Sequence, residues 1–231
     1  MRKLLLLHGA LGSKDQFNEL TRKLNSSFEV HAINFSCHGG KDIPGEPFSM
    51  EMFANDIELY LTANNISEID IFGYSMGGYA ALYSALRAPG RIRKIFTLAT
   101  KFEWTPEIAE REVKMLDAVK IKEKVPKFAS ELAKRHGEGK WETVLKKTAE
   151  MMEELGRLGG NHRGYPLKLE NINSEVLIGI GDRDKMVSLE ETISAYRSLA
   201  NGKLIVFPDT PHEFIQTNID RMKNEMINFL N

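Results

Sequence analysis

The run Gly73-Tyr74-Ser75-Met76-Gly77-Gly78 matches G-x-S-x-G, an arrangement that can turn a serine hydroxyl into a nucleophile. The string alone is common, and its context is what gives it weight. Residues 69–72 read as a buried strand and residues 77–87 as a helix, so Ser75 falls on a sharp strand-to-helix turn. A hydroxyl is a weak nucleophile and needs a base. Of the six histidines, His212 is the candidate. It lies in Pro208-Asp209-Thr210-Pro211-His212, just after a strand-like run at 203–207. In a parallel sheet that loop opens on the same edge as Ser75. His8 ends the first strand and has a different job. His31 reads as structural and His136 as solvated, while His38 and His162 carry no clear role.

An imidazole base needs a carboxylate to hold its tautomer. Gly181-Asp182-Arg183-Asp184 follows a strand at 175–180 on that same edge. The residues alone leave Asp182 and Asp184 both open. Asp209 is too close in sequence to reach round the ring of His212. An oxyanion needs two aimed backbone N–H groups. Met76, following the serine, supplies one, and the loop His8-Gly9-Ala10-Leu11-Gly12 supplies the other. That loop lacks both the Walker lysine pattern and G-x-G-x-x-G spacing, which argues against a phosphate cradle.

The elements that must position these groups are strands and helices in alternation. Residues 3–7, 28–35, 68–72, 92–99, 175–180 and 203–207 are short apolar runs without polar alternation, as expected for strands covered on both faces. Helices are expected at 14–24, 49–63, 77–87, 189–199 and 218–230, with Ser49 suited to cap the second. Residues 101–166 break the rhythm. They hold no strand-like run and instead read as three amphipathic helices, at 106–119, 120–135 and 140–158. A segment that long is expected to be a helical cap on a core formed by 1–100 and 167–231. The fold class is therefore α/β, a mostly parallel sheet of about six strands flanked by helices, with a helical insertion.

Composition bounds the rest. The 231 residues, 42% of them apolar, suit one globular core. Lys plus Arg total 31 against 32 Asp plus Glu, so no basic excess points to nucleic acid. A single cysteine, Cys37, excludes an intrachain disulfide and fits a reducing compartment. The apolar start, Leu4 to Leu7, stops at His8 and is too short for a signal core. No run approaches the roughly 20 residues of a membrane span. The expectation is a cytoplasmic protein acting on a small molecule, without metal or organic cofactor.

Taken together, H-G-x-x-G after the first strand, G-Y-S-M-G-G, G-D-R-D after a late strand and a histidine near the end resemble the α/β-hydrolase superfamily. The resemblance covers nearly the whole chain. It implies a catalytic role for Ser75, Asp184 and His212, with oxyanion donors at the N–H groups of Ala10 and Met76. Two departures stand out. Pro211 precedes the histidine where the family usually has glycine, and Cys37-His38-Gly39-Gly40 stands where many members have G-H-G. The chain starts at the family's usual third strand, which implies about six strands. Compact members include carboxylesterases, perhydrolases, C–C bond hydrolases and the lyase of menaquinone synthesis. The leading expectation is a serine hydrolase cleaving a small ester through an acyl-enzyme. A lyase with the same triad would need cationic pocket residues, for which Arg163 and Arg183 are the candidates. A catalytically silent receptor is the third reading. Leu11, Phe35, Phe102, Trp104, Tyr165 and Met186 are candidate pocket residues, with Cys37, Met115, Met151 and Met152 further sources of apolar surface, and His162 or Arg163 a possible contact for an anion.

Overall fold

The computed structural model describes residues 1–43, 45–162 and 164–231. Six strands form one parallel sheet: β1 (Arg2–Leu7), β2 (Phe28–Ile33), β3 (Ile69–Tyr74), β4 (Ile92–Leu98), β5 (Glu175–Gly181) and β6 (Gly202–Phe207), in the order β2-β1-β3-β4-β5-β6. Side chains alternate across a strand, and β1 shows both faces buried. Leu5 and Leu7 join one apolar cluster with Ile71, Ile95 and Ile178, and Leu4 and Leu6 join another with Phe72 and Phe96. Helix α1 (Asn18–Leu24), preceded by a 3₁₀ turn, covers the second face. Helices α2 (Met50–Ala63) and α3 (Met76–Arg87) cover the first. The Ser49 side chain accepts from Met52 N at 3.1 Å, so α2 starts where a capping serine was expected.

Strand β1 has β2 on one side and β3 on the other. The loops after β1 and β3 therefore diverge, and a crevice opens at the carboxyl ends of the strands, where doubly wound sheets place ligands.

Between β4 and β5 the described residues form four α-helices, α4 (Pro106–Val113), α5 (Ala118–Lys124), α6 (Pro126–His136) and α7 (Trp141–Gly160), and a short 3₁₀ turn. The expected helices at 106–119 and 120–135 need correction. The first stops at Val113, and Asp117 caps a new helix by accepting from Val119 N and Lys120 N at 3.0 and 3.1 Å. The second breaks at Val125, whose ψ of 59° leaves the helical region ahead of Pro126. Proline lacks the N–H that a continuous helix would use there, and it favours the first position of a new one. The segment leading into α4 lies against α7 closely enough that a Cβ on Gly159 would sit 1.6 Å from Trp104 O. Glycine is required at that crossing. Helices α8 (Leu189–Ser198) and α9 (Ile219–Leu230) complete the chain, α8 on the first face and α9 on the second. Among the described residues, no helix is long and apolar enough to cross a membrane.

Candidate active site

Ser75 joins β3 to α3 with φ 51° and ψ −119°. A β-carbon disfavours positive φ, so the neighbours must hold this backbone. Ser75 N donates to Leu98 O at 2.8 Å, and Ser75 O accepts from Gly78 N and from Thr100 Oγ1, both at 3.0 Å. Helix α3 also runs tightly beneath β1. A Cβ on Gly77 would lie 2.3 Å from Leu7 O and 2.7 Å from His8 O, so only glycine fits.

His212 lies on the loop after β6. Its Nδ1 donates to Asp184 Oδ2 at 2.8 Å, and the carboxylate is fully buried. The other oxygen, Oδ1, accepts from Met186 N and Val187 N at 2.8 and 2.9 Å. The carboxylate is therefore held in place before it meets the ring, and Nε2 is left as the nitrogen with a free lone pair. Tyr74 Oη donates to His212 O at 2.8 Å and anchors the loop to the residue before Ser75. Burial above all pushes the Tyr74 phenol well above its ordinary range, so it stays a neutral donor. The competing aspartates are engaged elsewhere. Asp182 Oδ1 accepts from Thr210 N at 3.3 Å, and Asp209 meets Arg183 at 3.5 Å.

Ser75 and His212 line one cavity together with Ala10 and Met76. It encloses about 480 Å³ of atom-free space, part of it open to solvent. The loop carrying Ala10 is constrained at its next residue, Leu11, where φ is 58°. Leu11 O accepts from Arg135 Nη1 at 2.6 Å and from His136 Nε2 at 3.0 Å, so the end of α6 clamps this loop.

Of the pocket residues named from sequence, Trp104 and Met186 border the cavity, as do Met151 and Met152. Four others lie elsewhere. Phe35 is fully buried between His8 and Phe53. Phe102 is buried in the core, its N–H donating to Glu191. Leu11 packs against the α5–α7 cluster, and Tyr165 borders a separate surface depression with His162. Their backbones leave the active edge, but their side chains turn into packing, which position along the chain does not reveal. Cys37 is buried and Met115 is exposed. His162 is exposed, Arg163 lies outside the described residues, and Arg183 is exposed beside Asp182 and Asp209. The solvated reading of His136 is overturned. It is fully buried, with Nδ1 accepting from Gly39 N at 3.2 Å. Glu131 and Lys134 point outward on α6, while His136 and the partly buried Arg135 turn inward to Leu11 O. His8 is likewise internal, accepting from Phe35 N and donating to Gly9 O. His31 pairs with Tyr60 Oη at 2.8 Å.

Met50, Tyr79, Lys101, Glu112, Leu155 and Val187 also line the cavity and were not foreseen. The only advance signal was their place in elements that end at the active edge or in the insertion. Among the described residues, no group of three or more His, Cys, Asp or Glu side chains is arranged to hold a metal.

A family model described as the alpha/beta hydrolase fold matches residues 3–143, more than half of the chain. The chain is 30% identical over 135 residues to the pimeloyl-(acyl-carrier protein) methyl ester esterase of Neisseria meningitidis serogroup C, covering 58% of this chain and 50% of that protein. It is 23% identical over 249 residues to the AB hydrolase superfamily protein YisY of Bacillus subtilis, covering 100% and 92%. The chain spans half or less of the length of the curated relatives that it matches at about 30% identity. Among solved structures, the enol-lactonase of Burkholderia xenovorans superposes with a TM-score of 0.79 at 16% identity, covering 99% of this chain and 91% of that one. MenH from S. aureus superposes with a TM-score of 0.74 at 20% identity, covering 99% and 93%. Likeness at such identity speaks for the fold. Sheet order, the strained turn at Ser75 and the family match agree, and the chain belongs to the alpha/beta hydrolase fold family.

Proposed function

We propose that the protein is a serine hydrolase that cleaves small esters through an acyl-enzyme. The observation that carries this reading is the buried Asp184–His212 pair at 2.8 Å, opening on the cavity that Ser75 also lines. Ser75 Oγ attacks the ester carbonyl and passes its proton to His212 Nε2. Asp184 holds the Nδ1–H tautomer and supports the imidazolium. The N–H groups of Ala10 and Met76 receive the oxyanion. His212 then gives the proton to the departing alcohol. In the second half it takes one from water, which attacks the acyl carbonyl and releases the acid and free Ser75.

Helices α4 to α7 serve as a cap, residues 101–166, over a core made of 1–100 and 167–231. The apolar wall formed by Met50, Tyr79, Met151, Met152 and Leu155 suits an acyl chain or other apolar moiety. The lyase alternative, which calls for cationic residues around an acidic substrate, is less well supported. Arg183 is exposed beside Asp182 and Asp209, and Lys101, which does line the cavity, is bound to Glu191. The receptor alternative gives no reason for a strained serine and an ordered acid–base pair to line one cavity.

The test is hydrolysis of p-nitrophenyl esters of rising chain length, together with labelling by a fluorophosphonate. Wild type should turn over short and medium esters and take the label. Ser75→Ala should lose the label and at least ~10³-fold in kcat. Undiminished ester turnover by Ser75→Ala would reject the mechanism.

A further inference from the structure

Two residues that line the Ser75 cavity, Glu112 and Trp104, each carry a buried polar atom with no partner among the described residues. Glu112, on α4, is only 3% exposed. Its Oε1 accepts from Arg111 Nη2 at 3.0 Å and Nε at 3.3 Å, from a guanidinium that otherwise faces solvent. Its Oε2 is buried and has no partner among the described residues. Trp104, just before α4, is also buried, and its indole Nε1–H likewise has no partner among the described residues. Both side chains line the cavity that holds Ser75 and His212. Lys101, the other charged residue of this wall, does not meet Glu112. Its Nζ donates to Met186 O at 3.0 Å and Glu191 Oε2 at 3.2 Å.

Buried polar groups in folded proteins are bonded, and each exception asks for an explanation. Away from Ser75, His212 and the bound Lys101, the wall is apolar or aromatic, and there an unused donor and an unused acceptor are out of place for a purely apolar substrate. They fit one that brings the complementary atoms with it.

We infer that Trp104 and Glu112 determine specificity by recognising a neutral group that both accepts and donates a hydrogen bond, a hydroxyl or a carboxamide, carried by the substrate away from its scissile carbonyl. The inference deepens the ester-hydrolase reading and rests on it for the reaction. The indole N–H donates to the oxygen of that group, and Glu112 Oε2 accepts its O–H or N–H. An ammonium satisfies the carboxylate and leaves the indole unmet. A carboxylate on the substrate is repelled by Glu112, and a methyl terminus satisfies neither atom.

Methyl esters of four- to eight-carbon acids ending in methyl, hydroxyl, carboxamide, ammonium or carboxylate test this by kcat/KM, read from methanol release. At the best chain length, wild type should prefer the hydroxyl or carboxamide ester over the methyl-terminated one by roughly 10- to 100-fold, because leaving buried polar groups unpaired penalises the wrong substrate. Glu112→Met should bring that ratio close to one. Glu112→Gln, which can still accept, should keep most of it. Thermal unfolding of each variant shows whether it folds, and Trp104→Phe, which deletes the indole N–H and should also lower the ratio, carries the comparison if Glu112→Met does not. Calorimetric binding of the same esters to Ser75→Ala gives the ranking without turnover. Selective binding there, with no ester turnover and no fluorophosphonate label in wild type, would leave the recognition standing and remove the hydrolase reading. No preference among the termini in wild type and Ser75→Ala, an undiminished hydroxyl or carboxamide preference in Glu112→Met or Trp104→Phe, or a preference for the ammonium or methyl terminus in wild type, would overturn the inference.

Discussion

Acidification from pH 7 to pH 5 should destabilise this fold through a buried histidine cluster, and the share of His38 can be worked out. His38 is fully buried, with its ring centroid 5.0 Å from that of His8 and 5.5 Å from that of His136. Phe48 and Phe53 pack against it. Its Nδ1–H donates to Ser36 O at 3.0 Å, and Nε2 has no partner among the described residues. Burial, chiefly, with smaller repulsions from His136 and Lys41, lowers its pKa from 6.5 to about 4. The folded value lies below the unfolded one, so as pH falls the unfolded chain takes up the proton first. The stability at stake is fully present above the unfolded pKa and is lost between about pH 6.5 and pH 4. Linkage across those two values gives a loss of about 2 kcal/mol at pH 5 relative to pH 7, roughly 30-fold in the folding equilibrium. His8 and His136 are shifted in the same direction, again mainly by burial, and add to the loss.

Urea unfolding at pH 7, 6 and 5 measures it. His38→Phe keeps a ring among Phe48, Phe53 and the two neighbouring histidines and removes the titrating group. The variant should give up the bond to Ser36 at every pH, yet lose about 2 kcal/mol less than wild type between pH 7 and pH 5. Parallel pH curves for the two proteins would refute the reasoning.

Other perturbations address the site directly. Asp184→Asn keeps the acceptor for Met186 N and Val187 N but presents an amide to His212. kcat should fall by about 10⁴-fold with the fold intact by circular dichroism, and a fall of less than tenfold would take Asp184 out of the mechanism. Gly77→Ala puts a methyl 2.3 Å from Leu7 O, against backbone that cannot yield cheaply. It should cost roughly 3 kcal/mol or more in urea unfolding, or prevent folding. Arg135→Ala removes the 2.6 Å bond to Leu11 O and lets the loop bearing Ala10 relax. A lost hydrogen bond of about 1–2 kcal/mol predicts roughly a 5- to 30-fold lower kcat with little change in KM. An unchanged kcat would mean that α6 does not position that loop.

Much of this architecture was legible in the chain. Unalternated runs such as Leu4–Leu7 require cover on both faces, and the apolar clusters on either side of β1 show that cover. The turn at Ser75 was legible because glycine at 73 and 77 and a strand–helix switch leave few backbone paths. Ser49 was readable as a cap because capping is local chemistry between residues three apart. The split at Val125–Pro126 is equally local and was signalled by the proline, yet the expected helix at 120–135 ran through it.

What the sequence determined on its own was whatever depends on neighbours along the chain: strand and helix periodicity, caps, and the tight turn that holds Ser75. Only the tertiary structure put Asp184 rather than Asp182 against the ring of His212, turned Phe35 and Phe102 into packing, buried His136 against Leu11, and brought Glu112 to the cavity wall beside the expected Trp104. Each of those outcomes depends on how side chains far apart in sequence share space and hydrogen-bonding atoms. Linear spacing does not encode that partition, because it is settled when the elements dock and each buried polar atom must find a partner from whatever lies beside it.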